Sequence, residues 1–226
     1  MKFKAVFLDF YGTLVHEDDD ILPLIYDEVK RSSSDDVEVN HIGKHWSTTF
    51  FHLSRESYGD SFLRQREIGI QSLADTVRNF NSSCIAEDII QTQFNNWIQP
   101  PLYEDTIPFL ESLVGTPIYI LSNIDRDDIT AAMNYHGISV TDVITSEDVR
   151  SYKPRSELFE EGLRRSGCTA DEVIHIGDSL TSDIEGAQRL GIKAIWINRL
   201  GRKLPDHYKP DYIYPNLSEV HLESLS

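Results

Sequence analysis

The sequence predicts an α/β fold in which helices flank a mostly parallel β-sheet and a helical region is inserted into the chain. Two observations support this prediction. Short apolar runs, of the kind found in strands buried on both faces, alternate with helical stretches, and this alternation indicates βαβ units. A long region with few strand signals separates the first apolar run from the second.

Four apolar runs are the predicted central strands of the sheet. They cover residues 5–8, 117–121, 173–176 and 194–197. Each run is followed by polar residues or glycine, as expected where a buried strand ends. Residues 143–144 and 212–214 are two shorter candidates, which we place at the edges of the sheet.

Helical stretches lie between these runs at residues 129–136, 156–166 and 182–190. Gly137 and Gly191 follow two of them, in the position where glycine commonly ends a helix. Residues 17–102 are helical, charged and aromatic, and we interpret them as an inserted helical lobe. The predicted domains are therefore a core of residues 1–16 and 103–226 and a lobe of residues 17–102.

Composition and charge limit the classes of function. The chain has 226 residues, and 37 acidic against 21 basic residues give a net charge of −16. This charge opposes binding to nucleic acid or an anionic membrane and favours a divalent cation. The two cysteines suggest neither a disulfide framework nor a zinc site. The apolar stretch before Asp9 is too short for a signal peptide or a membrane span, so we expect a cytoplasmic protein. The expected partner is a small-molecule substrate.

Four groups of polar residues follow the predicted strands or lie near them. They are Asp9-Phe10-Tyr11-Gly12-Thr13-Leu14, Ser122-Asn123, Lys153-Pro154 and Gly177-Asp178-Ser179-Leu180-Thr181-Ser182-Asp183. Taken singly, each has an ordinary structural interpretation as a turn, a helix cap or a surface charge. Their order and their shared placement at strand ends indicate an active site at the carboxyl edge of the sheet.

Together the four motifs resemble those of the haloacid dehalogenase superfamily. The resemblance covers residues 1–16 and 103–226, whereas residues 17–102 correspond only in position and helical character to the cap of that superfamily. It implies a Rossmann-like core with an inserted helical cap, and a hydrolase activity. It is specific for the superfamily and leaves the substrate open.

The resemblance also implies roles for individual residues. Asp9 would be the nucleophile and would form a covalent aspartyl intermediate, which water then cleaves. Thr13 and Ser122 would orient this carboxylate or the substrate oxygens, and Lys153 would neutralise charge at the reacting centre. Asn123 would be a secondary substrate contact.

Mg²⁺ is the cofactor that the resemblance implies. Its ligands would be an oxygen of Asp9, the main-chain carbonyl of Tyr11, Asp178 and Asp183, the last often through water. Carboxylate, carbonyl and water oxygens are the hard ligands that Mg²⁺ prefers.

Tyr11 departs from the phosphatase pattern of this superfamily. Its phosphatases usually have a second aspartate there, which protonates the leaving oxygen and later activates water. A phenol with an ordinary pKa near ~10 is a poor base at neutral pH. The sequence Asp-x-Tyr-Gly-Thr-Leu is instead similar to the 2-haloacid dehalogenases, whose leaving halide needs no proton.

Other features argue against dehalogenase chemistry. Those enzymes work without a metal, generally lack an acidic residue at the place of Asp178, and hold the haloacid with an arginine of the cap. Arg55, Arg64 and Arg66 lie in the lobe, but none matches that arginine, and a solvated helix face is the simpler interpretation of each. A carboxylate at position 178 would also repel a haloacid.

Tyr11 favours dehalogenase chemistry and Asp178 favours a metal-dependent phosphatase, and the two can be compared by what each interpretation would cost the enzyme. A tyrosine at position 11 weakens one catalytic step, whereas Asp9, Asp178 and Asp183 without a metal would cluster without compensation. The sequence therefore favours Mg²⁺-dependent, phosphatase-type hydrolysis of a small phosphorylated metabolite with a good leaving group, such as an acyl phosphate. A 2-haloacid dehalogenase, and a catalytically silent relative that binds a phosphorylated ligand or a partner protein, are the alternatives.

Overall fold

A computed structural model describes residues 3–225 of the chain and contains a six-stranded sheet. All strand pairs are parallel, in the order β3-β2-β1-β4-β5-β6. The strands are β1 (Ala5–Leu8), β2 (Ile118–Ser122), β3 (Asp142–Thr145), β4 (Val173–Gly177), β5 (Lys193–Ile197) and β6 (Tyr212–Tyr214). Helices flank the sheet, so the predicted α/β fold class is confirmed, and the two short strands lie at the sheet edges as predicted.

The strand order reverses at the centre of the sheet. Every residue of β1, β2 and β4 is buried, in agreement with the unbroken apolar runs of the sequence. Leu8 of β1 pairs with Ile120 of β2 on one side and with Ile176 of β4 on the other. The chain thus builds β1 to β3 in one direction and β4 to β6 in the other. Ligands of open parallel sheets bind outside the carboxyl ends of the strands at such a reversal.

The helices of the described residues vary from one turn to eighteen residues in length. They are α1 (Leu22–Arg31), α2 (Val39–Glu56), α3 (Gln65–Asn79), α4 (Ala86–Ile89), α5 (Gln91–Ile98), α6 (Thr106–Ser112), α7 (Arg126–His136), α8 (Ser146–Val149), α9 (Glu157–Ser166) and α10 (Gly186–Gln188). Short 3₁₀ helices cover Gly59–Ser61, Ala170–Glu172, Leu217–Glu219 and Leu222–Ser224, and a π-helix covers Leu180–Glu185. Among residues 3–225, no helix is both long enough and apolar enough to span a membrane.

The three helices that the sequence predicts within the core correspond to α7, α9 and the π-helix with α10. The predicted helix at 182–190 starts two residues earlier, where the side chain of Ser179 accepts a hydrogen bond from the Ser182 amide. Gly137 follows α7 with a φ of 66°, and Gly191 follows the last helix with a φ of 77°. Glycine is favoured at both places because this left-handed backbone is unfavourable for residues with a Cβ atom.

The chain divides into two compact units. The first comprises the described residues up to His16, Pro101–Asn123 and the residues from Gly137 onward, and it contains the whole sheet. The second comprises Glu17–Pro100 and Ile124–His136 and is entirely helical. The sequence assigned residues 124–136 to the core, and their place in the second unit is a difference from the predicted boundaries.

Hydrogen bonds within the second unit explain this difference. The carboxylate of Asp125 accepts hydrogen bonds from the main-chain amides of Gln65 (2.8 Å) and Arg66 (3.1 Å) at the start of α3. The buried carboxylate of Asp128 pairs with the Arg66 guanidinium, at 2.9 Å from Nε and 2.5 Å from Nη2. Asp125, directly before α7, and Asp128, in its first turn, are therefore both bonded to α3.

Candidate active site

Three carboxylates converge at the carboxyl ends of β1 and β4. Asp9 directly follows β1, and its amide donates to the carbonyl of Ile176 in β4 at 2.9 Å. Asp178 follows β4, and Asp183 lies in the π-helix after it. One carboxylate oxygen from each of the three aspartates lies within 4.8 Å of the others. The reversal of strand order therefore brings two motifs from distant parts of the sequence to the same place.

The turn after Asp9 depends on Gly12. Its φ is +84°, a backbone conformation that residues with a Cβ atom rarely adopt. A Cβ atom at this position would lie 2.7 Å from both Cγ and Oδ1 of Asp178. Glycine at position 12 thus permits both the sharp turn and the close approach of the Asp178 carboxylate.

Lys153 lies at the centre of the cluster with its side chain almost fully buried. Its Nζ donates to Oδ1 of Asp9 at 2.7 Å, to Oδ1 of Asp183 at 2.6 Å and to the carbonyl of Leu121 at 2.8 Å. An ammonium group has three N–H donors, so these contacts use all of them. Lys153 therefore shares its one positive charge between the two carboxylates and has no further donor in this arrangement.

Burial and mutual charge shift the ionisation of this group. Burial raises the pKa of Asp9 to about 6, even though the Lys153 ammonium opposes the rise. Burial would also lower the pKa of Lys153, but the charges of Asp183 and Asp9 hold it above its ordinary value. For Asp183, Lys153 and His175 outweigh the effect of burial and hold the pKa below its ordinary value. Lys153 and Asp183 are consequently a charged pair at neutral pH.

Asp183 is strongly hydrogen-bonded. Its Oδ1 accepts from Lys153 and, at 3.0 Å, from Nε2 of His175, while its Oδ2 accepts from the Ser179 amide at 3.0 Å. A carboxylate has about four acceptor positions, so one remains. This arrangement suits a residue that fixes Lys153 and contacts a metal indirectly. A water-mediated role of this kind is what the resemblance in the sequence implied for Asp183.

His175 is a site residue that the motifs did not identify. It lies in the middle of β4, is fully buried, and has a pKa that burial lowers, so the imidazole is neutral. Its Nε2 must carry the proton because it bonds to the Asp183 carboxylate. The available signal was a histidine inside the apolar run Val173–Gly177, where an unpartnered polar group would be costly.

Asp178 has different partners from those of Asp9 and Asp183. Its main-chain carbonyl accepts from Nε1 of Trp196 at 2.8 Å and from Nη2 of Arg202 at 2.6 Å. The same Nη2 lies 3.3 Å from Oδ2 of Asp178. Arg202 also lies outside the four sequence motifs, and its nearness to the cluster follows from the turn after β5.

The donor set of this cluster fits a hard divalent cation. Asp9, Asp178 and Asp183 offer carboxylate oxygens, and Lys153 supplies one positive charge against their three negative ones. Mg²⁺ prefers a few carboxylates together with water, and Asp9 and Asp178 are the residues that would hold it.

Comparison with known proteins agrees with the fold and identifies the family. The family model described as haloacid dehalogenase-like hydrolase matches residues 3–191. The chain belongs to the haloacid dehalogenase-like hydrolases.

Phosphatases are similar to the chain in sequence, and a dehalogenase is similar to it in fold. Pyrophosphatase PpaX of Bacillus mycoides is 23% identical over 97% of this chain and 96% of its own. Haloacid dehalogenase-like hydrolase domain-containing protein 3 of Danio rerio is 35% identical over 34% of this chain, and the match spans only a third (33%) of that protein. The structure of L-2-haloacid dehalogenase from Xanthobacter autotrophicus has a TM-score of 0.75 at 19% identity, covering 95% of both chains, and thus shares the fold.

The remaining motif residues lie at the same edge of the sheet, after β1 and at the end of β2. Thr13 is fully buried, with its hydroxyl 3.4 Å from Oδ2 of Asp9, and Ser122 is buried at the end of β2. Asn123 uses both groups of its side-chain amide on the main chain of Lys153, at 2.7 Å and 3.1 Å. This pairing positions the lysine, and a contact of Asn123 with substrate stays a prediction.

Tyr11 and three arginines of the second unit are the residues by which the dehalogenase alternative is judged from the sequence. Tyr11 is partly buried, with its ring edge-on to Phe10 at a centroid distance of 5.1 Å. Arg66 pairs with Asp128 and lies over the ring of Phe94 at 4.5 Å, while its side chain is 37% exposed, so it combines solvent exposure with contacts that we did not expect. Arg55 and Arg64 are exposed, as expected.

Proposed function

We propose that the chain is a Mg²⁺-dependent, phosphatase-type hydrolase that acts on a small phosphorylated metabolite through Asp9. The convergence of the Asp9, Asp178 and Asp183 carboxylates within 4.8 Å carries this proposal. Such a cluster attracts a divalent cation and repels a haloacid carboxylate. The similarity to a pyrophosphatase over nearly the whole chain supports it.

The residues of the cluster suit covalent catalysis by a carboxylate. Lys153 holds Oδ1 of Asp9, and the hydroxyl of Thr13 lies near Oδ2. An Asp9 oxygen attacks phosphorus, the bond from phosphorus to the leaving oxygen breaks, and water then hydrolyses the aspartyl phosphate. Bound Mg²⁺ would supply stabilisation of the charge on the transferring phosphoryl group.

Tyr11 narrows the class of substrate within this proposal. The position lacks the carboxyl group that would protonate a leaving alkoxide, and acid–base help of this kind is commonly worth ~10²- to 10⁴-fold. Acyl phosphates and phosphoanhydrides release carboxylate or phosphate, which need no proton at neutral pH. We therefore expect such substrates to be hydrolysed faster than simple alkyl phosphates.

The second unit is proposed as the cap of this enzyme. It is helical, and it comprises the insertion between β1 and β2 together with α7. We propose that its residues select among substrates, with the residues of the first unit supplying the chemistry. The cytoplasmic location of the protein stays a prediction from the sequence.

Thermal unfolding with increasing Mg²⁺ tests the metal site, and hydrolysis of acetyl phosphate and glycerol phosphate tests the reaction. A ligand that binds the folded state raises its stability by about 2.7 kcal/mol at 100 times its Kd. We expect this stabilisation in the native protein, and we expect Asp178→Asn to weaken it and to reduce hydrolysis. Asp171→Asn is the matched control, because Asp171 is exposed just before the amino end of β4, at the opposite end of that strand.

The dehalogenase alternative gives the opposite results. The Asp-x-Tyr-Gly-Thr-Leu motif favours it, since a leaving halide needs no proton. Halide release from 2-haloacids in the presence of a chelator, with no effect of Mg²⁺ on the melting temperature and with activity retained in Asp178→Asn, would replace the phosphatase proposal by this alternative.

A further inference from the structure

Arg202 is held beside the active site by its own turn. The turn follows β5, and Asn198 closes it with both groups of its side-chain amide. The Asn198 Oδ1 accepts from the Arg202 amide at 2.8 Å, and its Nδ2 donates to the Arg202 carbonyl at 2.9 Å. The backbone of Arg202 is therefore fixed, although the side chain is 46% exposed.

The guanidinium of Arg202 contacts Asp178 through one nitrogen. Nη2 donates to the main-chain carbonyl of Asp178, which also accepts from Trp196. The same nitrogen lies 3.3 Å from Oδ2 of Asp178. The Cζ atom is 5.8 Å from the centroid of the Trp196 ring. Arginine has five N–H donors, so those on Nε and Nη1 remain for a ligand.

Arg202 and Lys153 differ in their capacity to bind an anion. Lys153 is buried and uses all three donors on Asp9, Asp183 and a carbonyl. Arg202 is half exposed, lies against the third carboxylate, and has the planar arrangement of donors that matches a phosphate group. An incoming phosphate therefore finds its donors on Arg202 without disrupting the cluster.

We propose that Arg202 binds the phosphate group of the substrate and, before substrate binds, weakens the binding of Mg²⁺ at Asp178. This inference rests on the proposed function and extends it. Two cations beside one carboxylate repel each other, and a phosphate dianion in contact with both removes the repulsion. Mg²⁺ and phosphate then strengthen each other's binding, as reciprocal coupling requires.

The test measures two affinities in the full chain by thermal shift: Mg²⁺ alone, and inorganic phosphate in saturating Mg²⁺. Arg202→Ala should bind Mg²⁺ about threefold to tenfold more tightly and phosphate more weakly by at least the same factor, since one partly exposed charge is lost. Arg202→Lys should retain the native Mg²⁺ affinity and still bind phosphate more weakly, because it keeps the charge without the planar donors. Lys203→Ala removes the same charge from the adjacent exposed residue and should change either affinity less than about twofold.

The opposite signs of the two changes separate this role from a structural one. If Arg202 only held Asp178 in place, Arg202→Ala would weaken both Mg²⁺ and phosphate, and that result would overturn the inference. Unchanged Mg²⁺ affinity in Arg202→Ala would also overturn the inference about Arg202. The proposed function would stand in that case, provided that the native protein binds Mg²⁺. Absence of Mg²⁺ binding in the native protein would reject both. If the alanine variant is unstable, Arg202→Gln removes the same charge, keeps a long polar side chain and provides the same comparison.

Discussion

Two carboxylates, the buried Asp183 in the first unit and the partly buried Asp18 in the second, each accept three side-chain or main-chain hydrogen bonds but from different partners. Asp183 accepts from a cation, Lys153, as well as from a histidine and a main-chain amide. Asp18 accepts only from neutral side chains, each at 2.8 Å: Gln93, Asn96 and Trp97.

The pKa values of the two carboxyl groups shift in opposite directions. Burial raises the pKa of Asp18, and its three neutral donors reduce this rise without cancelling it. Burial acts in the same way on Asp183, but the charge of Lys153 and the contact with His175 hold its pKa below the ordinary value. Neutral donors thus leave the pKa of Asp18 above its ordinary value, whereas the charge of Lys153 helps to hold the pKa of Asp183 below it. A carboxylate that must help to attract a metal ion needs the second arrangement, which Lys153 provides for Asp183. For Asp9, burial outweighs the same cation and raises the pKa to about 6.

The largest difference between the two regions is expected in catalysis. Asp9→Asn should reduce hydrolysis of acetyl phosphate by roughly a thousandfold or more, because an amide cannot act as the attacking carboxylate. Asp18→Asn makes the same change in the second unit and should leave turnover within a few-fold of the native value. Steady-state rates, with circular dichroism to confirm folding, measure both. Turnover by Asp9→Asn within tenfold of native would remove Asp9 from the mechanism.

The second difference is expected in stability and tests the role of the cation. Lys153→Met would leave Asp9 and Asp183 buried without their shared partner, and breaking a buried ion pair in this way typically costs about 3–5 kcal/mol. Urea unfolding at neutral pH measures the loss. Lys4→Met is the control, because Lys4 pairs with Glu172 on the surface, and it should change stability little. A loss no greater than that of the control would show that the two carboxylates do not depend on Lys153 for their burial.

Much of this arrangement was predictable from the sequence, because it depends on local pattern. Apolar runs identify strands whatever their neighbours are, and polar residues at strand ends point to the carboxyl edge. The fold class and the convergence of Asp9 with Asp178 follow from these two signals. The ion pair of Arg66 with Asp128 was not predicted, because the two residues are 62 positions apart in the sequence.

The remainder depends on contacts between distant segments, for which the sequence has no local signal. The partners of Lys153 arise only when β1, β2 and the π-helix are adjacent, and the strand order that makes them adjacent is a property of the folded sheet. Arg202 reaches Asp178 because β5 lies next to β4. His175 could have been singled out as a polar residue in a buried strand, but its partner could not.

The smallest expected effect is the pH dependence of stability that Asp18 contributes. Its folded-state pKa lies above the ordinary value of 3.8, so the folded protein binds this proton more tightly than the unfolded chain does. The stabilising contribution is fully present below the unfolded pKa and is lost as the pH rises through the folded pKa. Asp18→Asn cannot ionise and therefore lacks this dependence.

The free energy of unfolding of the native protein minus that of Asp18→Asn should consequently fall as the pH rises from about 4 to about 8, a range chosen to span ordinary and raised carboxyl pKa values. Taking the difference at each pH cancels the titration of Asp183, Asp9 and all other groups that both proteins share. Urea unfolding at several pH values measures it. A difference that increases with pH would mean that Gln93, Asn96 and Trp97 stabilise the charged form more than burial penalises it. In that case neutral donors alone would hold the pKa of Asp18 below its ordinary value, and the contrast between Asp18 and Asp183 would no longer depend on the presence of a cation.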